Sequence, residues 1–598
     1  MIALTQTGAA LGRRIQLSLP GAVVHGRAGR VADCDQSFDG LLAHAASLFA
    51  AGHPIIGICA AGILIRALAP HLGSKRSDPP VLAVAENGSA VVPLLGGHHG
   101  ANRLARTLAD VLDGFAAITT ASDIRLGFAL DDPPRGWKAA PGNAYNSFAA
   151  ALIAGEPLRI DRQAGDTRWP DTQNLAIDAA ASRVLCLTDK SLTPSDSQLV
   201  LHPPVLALGV GCERGCDPAE LLDLVTQTLQ ENNLSPQAIA CVVSLDLKSD
   251  EKAVLDLADT LQVPARFFAA TALEAETPRL ANPSTVVFAE VGCHGVAEGA
   301  ALAAGGTTAQ LIVGKHKSAR ATCAIARRPT DIDAAAVGRA RGRLTVVGIG
   351  PGTADWRTPA VTNALARTTD VIGYGLYLDL LGGLIAGKQR HQSELAQEEE
   401  RVRKSLELAA EGKDVALVCS GDAGIYALAT LVFELLEREN KAAWNRLEIS
   451  VEPGVSAIQA AAARLGAPIG HDFCLISLSD LLTPWQDIER RLQAAADGDF
   501  VVGLYNPVSK RRRHQLEIAR DTLLSGRPPE TPVILARNLG RPTESTEVVQ
   551  LGELTPDHAD MLTLVLIGNR QTRHFRAGEK SWVYTPRGYA NKKGDNSK

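Results

Sequence analysis

Three glycine-bearing turns and one Asn-Pro turn in the C-terminal half carry the residues best suited to chemistry: GIGPG (348–352), SGDAGIYALA (420–429), VEPGVSAIQAAA (451–462) and LYNPVSKRRRH (504–514). Each follows an apolar run. Glycine lets a backbone approach a ligand closely, and a following helix N-terminus favours anions. In SGDAG, Asp422 could accept from a ribose hydroxyl or an ammonium, or it could simply cap the next helix. Ser456 is a good N-cap for IQAAAARLG. GIGPG departs from the dinucleotide fingerprint, because its third glycine arrives one residue early, behind Pro351, and position 353 is Thr. Asp370, 20 residues after Gly350, imitates the spacing of a ribose-binding acid, but a nicotinamide site is disfavoured. The run Lys510, Arg511, Arg512, Arg513 and His514 suits carboxylates, which arginine pairs bidentately, or it forms a solvated helix face.

In the N-terminal half, LLGGHHGANRLA sets His98 and His99 between glycine pairs, with Glu86 a short way upstream. Histidine can act as acid, base or ligand near neutral pH. Adjacent histidines on an extended chain point apart, so a shared metal is disfavoured. GVGCERGC (209–216) is a glycine loop with Cys212 and Cys216, and VGCHGVAEGAA (291–301) adds Cys293, His294 and Glu298. Their spacing is not that of a zinc module. SLDLKSDE (244–251) puts Lys248 and Glu251 at a strand end and a helix start. The basic segment 315–328 could hold carboxylates.

Elements of an α/β kind must position these groups. At roughly 150 residues per domain, 598 residues predict about four domains. Sixty basic against 65 acidic residues give a net charge of −5, which excludes a nucleic-acid binder driven by charge. An apolar fraction of 46% and a charged fraction of 21% describe a foldable chain. Ten scattered cysteines fit a reducing, cytoplasmic compartment better than a disulfide scaffold. The N-terminus lacks the order of a secretory signal. Residues 40–65 contain no Asp, Glu, Lys or Arg, yet His44, Gly52, His53, Pro54 and Gly57 interrupt them. We read a helix over 40–50, a turn, the strand PIIGIC and a further helix, with no membrane span. NRLARTLADVL and DPAELLDLVTQTLQENN read as helices, the second capped by Asp217 with Pro218 at its first position. VLALGVG, ACVVSL and STVVFAEVG read as strands, and 130–200 as irregular connection with a small insert. A seam over 327–342 precedes a restart, in which LTVVGIG, DVIGY, DVALVCSG, LEISVEPG, FCLISLS, DFVVGLYN, TPVILAR and MLTLVLIG are strands.

The C-terminal motifs, in this order, resemble the tetrapyrrole methylases over 343–590, and within them the precorrin-3B C-17-methyltransferase branch of cobalamin biosynthesis. The resemblance implies two α/β subdomains with S-adenosylmethionine (SAM) in the cleft between them. It implies that Gly350, Pro351 and Gly352 floor the cleft. Gly421, Asp422, Ile425 and Tyr426 would line the SAM pocket, and Ser456 and Ala457 would meet its amino-acid or sulfonium end. Tyr505, Asn506 and Arg537 would approach from the second subdomain, and Leu566 and Gly568 would lie near the adenine. Tyr374, Tyr377, Lys510 and Arg511 would face a tetrapyrrole. Ala423 departs from the Gly-Asp-Pro of many relatives.

GICAAGILIRALAPHL, AENGSAVVPLLGGHHGANRLA, GVGCERGC, SLDLKSDE and VGCHGVAEGAAL resemble the cobalt-precorrin-5A hydrolase family over about 20–330. That family opens a lactone and releases acetaldehyde. His98, His99, Glu86, Lys248 and Glu298 are the candidate catalytic residues of this hydrolase-like half. The expected organisation is 1–130, a hydrolase N-terminal-like domain; 131–203, a variable middle region; 204–328, a hydrolase C-terminal-like domain; 329–342, a linker; and 343–590, the methylase. The expected chemistry is methylation of carbon 17 with ring contraction, together with lactone hydrolysis. The expected partners are a tetrapyrrole, other corrin-pathway enzymes and a second copy of the chain, with no nucleic acid. Alternatives are an N-terminal half that only binds tetrapyrrole, and a methylase for another tetrapyrrole or for a protein side chain.

Overall fold

The computed structural model describes residues 1–589 except 75–76, 98–99, 128–129, 131, 395–396 and 510–511. His98, His99, Lys510 and Arg511 therefore lie outside the described residues. The chain divides into two compact units. One is Met1–Leu344 with Lys404–Val415 and Arg438–Ile449; the other is Thr345–Arg403 with Ala416–Glu437 and Ser450–Lys598. The architecture is α/β and multidomain throughout.

The first sheet of the first unit has seven strands, with Ile2–Ala3 and Ile55–Ile58 at its middle. Ile55–Ile58 is wholly buried and pairs in parallel with Val81–Val84. Helices Leu41–Ala50 and Ala61–Leu68 flank it in sequence, so residues 40–65 form the helix, turn, strand and helix expected. Ala101–Leu112 buries Ala101, Ala105, Leu108, Ala109 and Leu112, a single helical stripe. No single described helix is long and apolar enough to cross a membrane.

The stretch 131–203, expected to be mostly irregular, contains a four-stranded sheet. Its order is Lys138–Ala139, Gln198–His202, Arg183–Leu187 and Leu158–Arg162. Short strands between turn-rich loops leave little periodicity to read.

The next sheet has Leu206–Cys212 at its centre, parallel to Ile239–Leu245 and antiparallel to Ala321–Arg327. Ile239–Leu245 is in turn parallel to Ala265–Phe268. The carboxyl ends of these three parallel strands share one edge, where ligands of open α/β sheets bind. Helix Pro218–Glu231 starts as expected, with Asp217 accepting from the Ala219 amide at 3.0 Å. STVVFAEVG, read above as a strand, is the helix Thr285–Val291 instead. Ser284 caps its start, left-handed Gly292 ends it, and Val286 is exposed rather than paired in a sheet. These end signals outweigh the β-branched run.

The segment 329–342 is strapped down within the first unit. Arg339 exchanges backbone hydrogen bonds with Phe267 and reaches Asp246 at 2.5 Å. Asp331 accepts from Trp137 Nε1 at 2.6 Å and from the Asp166 amide at 2.9 Å.

Beyond it, one five-stranded sheet runs Gln389–Ser393, Asp370–Tyr374, Asp414–Cys419, Arg343–Gly348 and Glu448–Glu452. A second runs Phe473–Ser477, Val501–Tyr505, Thr563–Ile567, Pro532–Arg537 and Ser545–Gln550. All eight strands expected from the restart at 343 onward are present. Thr358 caps helix Pro359–Arg367, and Ser456 with Gln459 forms a capping box on helix Ala457–Leu465.

Candidate functional site

In the second unit the glycine turns interlock at strand ends. Gly350 and Gly421 exchange backbone hydrogen bonds at 3.1 and 2.8 Å. Asp422 neither caps a helix nor stands free. Its Oδ1 accepts from the Gly424 amide at 2.8 Å and its Oδ2 from the Gly454 amide at 3.1 Å. A Cβ at Gly454 would overlap the carbonyl oxygens of Gly421 and Gly348. One carboxylate and backbone contact thus lock three loops together, leaving the turn 424–426 outermost.

Tyr426 in that turn has φ of 50° and is 53% exposed. A left-handed tyrosine costs about 1–3 kcal/mol and points to a functional constraint. Its hydroxyl donates to the Leu475 carbonyl at 2.9 Å, and its ring lies 5.3 Å from that of Tyr505. The Ile458 amide donates to the Tyr505 hydroxyl at 3.4 Å. Burial pushes both phenols up, so both stay neutral at physiological pH. Asn506, also left-handed, donates to Ser477 Oγ at 3.1 Å. Gly421, Asp422, Tyr426, Ser456, Ala457, Tyr505 and Asn506 therefore belong to one linked group of loops, and half-buried Ile425 is part of the same turn.

Other expected residues stand differently. Pro351 accepts from Arg541 through its carbonyl at 3.3 Å, and Gly352 packs on the backbone of Gly540. Arg537 forms an ion pair with Asp560. Leu566 is buried in the sheet core, and Gly568 packs on Thr572. Tyr374 and Tyr377 meet edge to face at 5.3 Å. Of the basic run, Arg512 is buried and donates to the Asn506 carbonyl at 2.8 Å, while Arg513 pairs with Asp557. Arg512 thus serves local structure, while Arg513 stays exposed at the helix start.

In the first unit Glu86 is exposed and accepts from the Thr5 hydroxyl. Glu298 is buried, with Oε2 accepting from the amides of Ala281 and Asn282 and Oε1 from Asn282 Nδ2 and the Lys315 amide, at 2.8–2.9 Å. Burial opposes its ionisation, but these bonds outweigh burial and hold the carboxyl below its ordinary value. Lys248 lies 4.0 Å from Glu251. Glu251 is buried, accepts from the Gly215 amide at 3.0 Å and lies 3.4 Å from Arg214. Lys248 thus joins the 212–216 loop at the carboxyl edge of the parallel strands. Burial pushes the Cys212 thiol up to about 11, so it is protonated at neutral pH. Among the described residues, Glu86, Lys248 and Glu298 make no hydrogen bond with one another. His294 pairs with Glu274, a partner 20 residues away that no spacing signalled.

Comparison with known proteins adds three family matches. Residues 343–555 match the tetrapyrrole (corrin/porphyrin) methylases, 206–326 the cobalamin synthesis G C-terminus and 43–123 the cobalamin synthesis G N-terminal region. The chain is 46% identical over 250 residues to the precorrin-3B C(17)-methyltransferase of Sinorhizobium sp, covering 42% of this chain and 98% of that one. It is 43% identical over 252 residues to the cobalamin biosynthesis protein CobIJ of Mycobacterium bovis, covering 42% of this chain. There it spans about half the relative's length, 48%. Among solved structures, the methyltransferase CobJ is similar at 44% identity and a TM-score of 0.39, over 41% of this chain and 100% of that one. With a match over nearly the whole Sinorhizobium relative, the chain belongs to the tetrapyrrole (corrin/porphyrin) methylases, with cobalamin synthesis G segments on its N-terminal side.

Proposed function

We propose that the C-terminal part uses SAM to methylate carbon 17 of precorrin-3B, or of cobalt-precorrin-3, with ring contraction to precorrin-4. The N-terminal part hydrolyses the lactone of cobalt-precorrin-5A and releases acetaldehyde. The observation that carries the first activity is the 46% identity across 98% of a relative named for it.

The residues present fit SAM. The turn 424–426 offers open backbone, Tyr426 and Tyr505 offer aromatic surface, and Ser456 and Ala457 open a capped helix. When bound, SAM supplies a methyl group activated by a sulfonium. Gly421, Asp422, Ile425, Tyr426, Ser456, Ala457, Tyr505 and Asn506 hold it; Arg537, Leu566 and Gly568 complete the adenine side. Gly350, Pro351 and Gly352 floor the cleft, and Tyr374 and Tyr377 face the tetrapyrrole; Lys510 and Arg511, outside the described residues, are proposed to pair with its carboxylates. The macrocycle carbon is electron-rich, so orientation and exclusion of water supply most of the acceleration. Asp422 keeps the loops in register, and the Tyr426 hydroxyl ties its turn to Leu475.

In the N-terminal part, His98, His99, Glu86, Lys248 and Glu298 are the proposed catalytic set. A second reading, tetrapyrrole binding without hydrolysis, is favoured by one observation: all four hydrogen bonds of Glu298 are already made within the protein. A cytoplasmic homodimer built through the methylase part completes the proposal; sedimentation of the purified chain tests the dimer. Mass spectrometry of products formed from cobalt-precorrin-5A tests the N-terminal activity. Acetaldehyde with an opened lactone supports hydrolysis, and an unchanged substrate supports the carrier.

A further inference from the structure

We propose that His294, oriented by Glu274, is the general base that activates water for lactone opening, an inference that rests on the hydrolytic reading of the N-terminal part. His294 sits between helices Thr285–Val291 and Val296–Gly305. Its Nδ1 lies 3.0 Å from both carboxylate oxygens of Glu274, and its own amide donates to the same carboxylate at 3.0 Å. Its carbonyl accepts from the Ser284 amide at 2.8 Å. The imidazole stacks on Phe288, with ring centroids 4.5 Å apart and planes 26° apart. Ring orientation and tautomer are therefore both set. A carboxylate accepts only, so Nδ1 is the donor, and in the neutral imidazole the free lone pair is then on Nε2. The side chain is 26% exposed, and Nε2 has no hydrogen-bond partner among the described residues.

Position supports the same role. A Cβ at Gly211 would lie 3.4 Å from Val296, so the helix following His294 starts beside the end of strand Leu206–Cys212. That is the edge where Lys248 and Glu251 emerge. Two nearby groups are poorly suited to take a proton. Glu298 is fully engaged by four donors, and the Cys212 thiol is held protonated by burial. Hydrogen bonding from His294 holds the Glu274 carboxyl low, so it remains an anion able to stabilise imidazolium.

The step is a hydrolysis. His294 Nε2 takes a proton from water as the water oxygen bonds to the lactone carbonyl carbon. The ring C–O bond then breaks, and the imidazolium returns the proton to the leaving alkoxide. One water is consumed, and no oxidant or reductant enters. Glu274 is a positioning residue.

The test follows acetaldehyde release and lactone opening by the full chain acting on cobalt-precorrin-5A across pH. His294→Ala is expected to lower kcat about 10²–10⁴-fold, with partial recovery on adding imidazole. Glu274→Gln is expected to lower kcat with little change in KM, because no carboxylate then orients the ring and stabilises the imidazolium formed in the step. A His294→Ala rate within about threefold of wild type, or a folded variant that imidazole does not rescue, overturns the role. Should His294→Ala misfold, the conservative His294→Gln decides: a large loss of kcat with KM little changed supports the base, and a wild-type rate overturns it. A wild-type chain that opens no lactone overturns the hydrolytic reading itself. An active wild type indifferent to His294→Ala overturns this inference alone.

Discussion

Asp422 and Glu298 are both carboxylates with backbone amides for partners, and both roles escape spacing arguments. A Gly-Asp pair at a strand end suggests a ribose acceptor or a helix cap, whereas Asp422 joins two loops 32 residues apart. Replacing it by Asn turns one acceptor into a donor facing an amide. We expect Asp422→Asn to weaken SAM binding about tenfold, read by calorimetric titration, because one charged hydrogen bond is worth about 1.5–3 kcal/mol; an unchanged Kd would remove Asp422 from the site. Glu298→Ala leaves buried donors unmet and should cost about 3 kcal/mol in urea unfolding. Its pH dependence follows from a folded pKa below 4.5. The unfolded chain takes up the proton first as pH falls. The stabilisation is thus complete above the unfolded value and disappears as pH drops through the folded one. Glu298→Gln should flatten that acid limb, and a limb that stays the same would place the titration elsewhere. Glu274 and His294 show why such pairs are missed: each is ordinary alone, and only the fold brings them together.

At the scale of elements, most of the fold was legible because strands and turns announce themselves together. GIGPG, CSGD and VEPG each close an apolar strand with a turn, so three strands of one sheet could be read directly. The failures have physical causes. Thr285–Val291 has strand-like composition, but its caps decide for helix. The sheet within 131–203 is built partly from a two-residue strand, too short for any period to appear. Packing partners are the least legible feature. Gly209 is read within the strand VLALGVG and lies in one, but nothing in the sequence signals that a Cβ there would overlap the Ala297 carbonyl oxygen. Gly209→Ala should lower stability by about 3 kcal/mol as the helix Val296–Gly305 is pushed off its sheet. Gly299→Ala, where the nearest atom is 3.3 Å away, should cost far less. Thermal melts that reverse this order would contradict the packing.

At the scale of the whole molecule, the chain places cobalamin synthesis G segments (43–123 and 206–326) ahead of a methylase segment (343–555), with 329–342 between them. That segment contains Arg339 and Arg341 and is read from the sequence as a seam and linker. Its bonds to Phe267, Asp246, Arg446 and Leu447 tie it down locally. Proteolysis requires local opening, so native trypsin digestion should spare these arginines, and Arg341→Ala should speed cutting at Arg339 about tenfold. Rapid cleavage of the native chain there would mean the strap does not hold in solution. The central claim, methyl transfer to a contracting corrin ring, is tested most directly by incubating the full chain with methyl-labelled SAM and precorrin-3B or its cobalt counterpart. The products are then followed by mass spectrometry. We predict a ring-contracted product labelled at carbon 17, and the substrate that yields it identifies the metal state. Absence of label from both tetrapyrroles, with SAM still bound, would contradict the assignment.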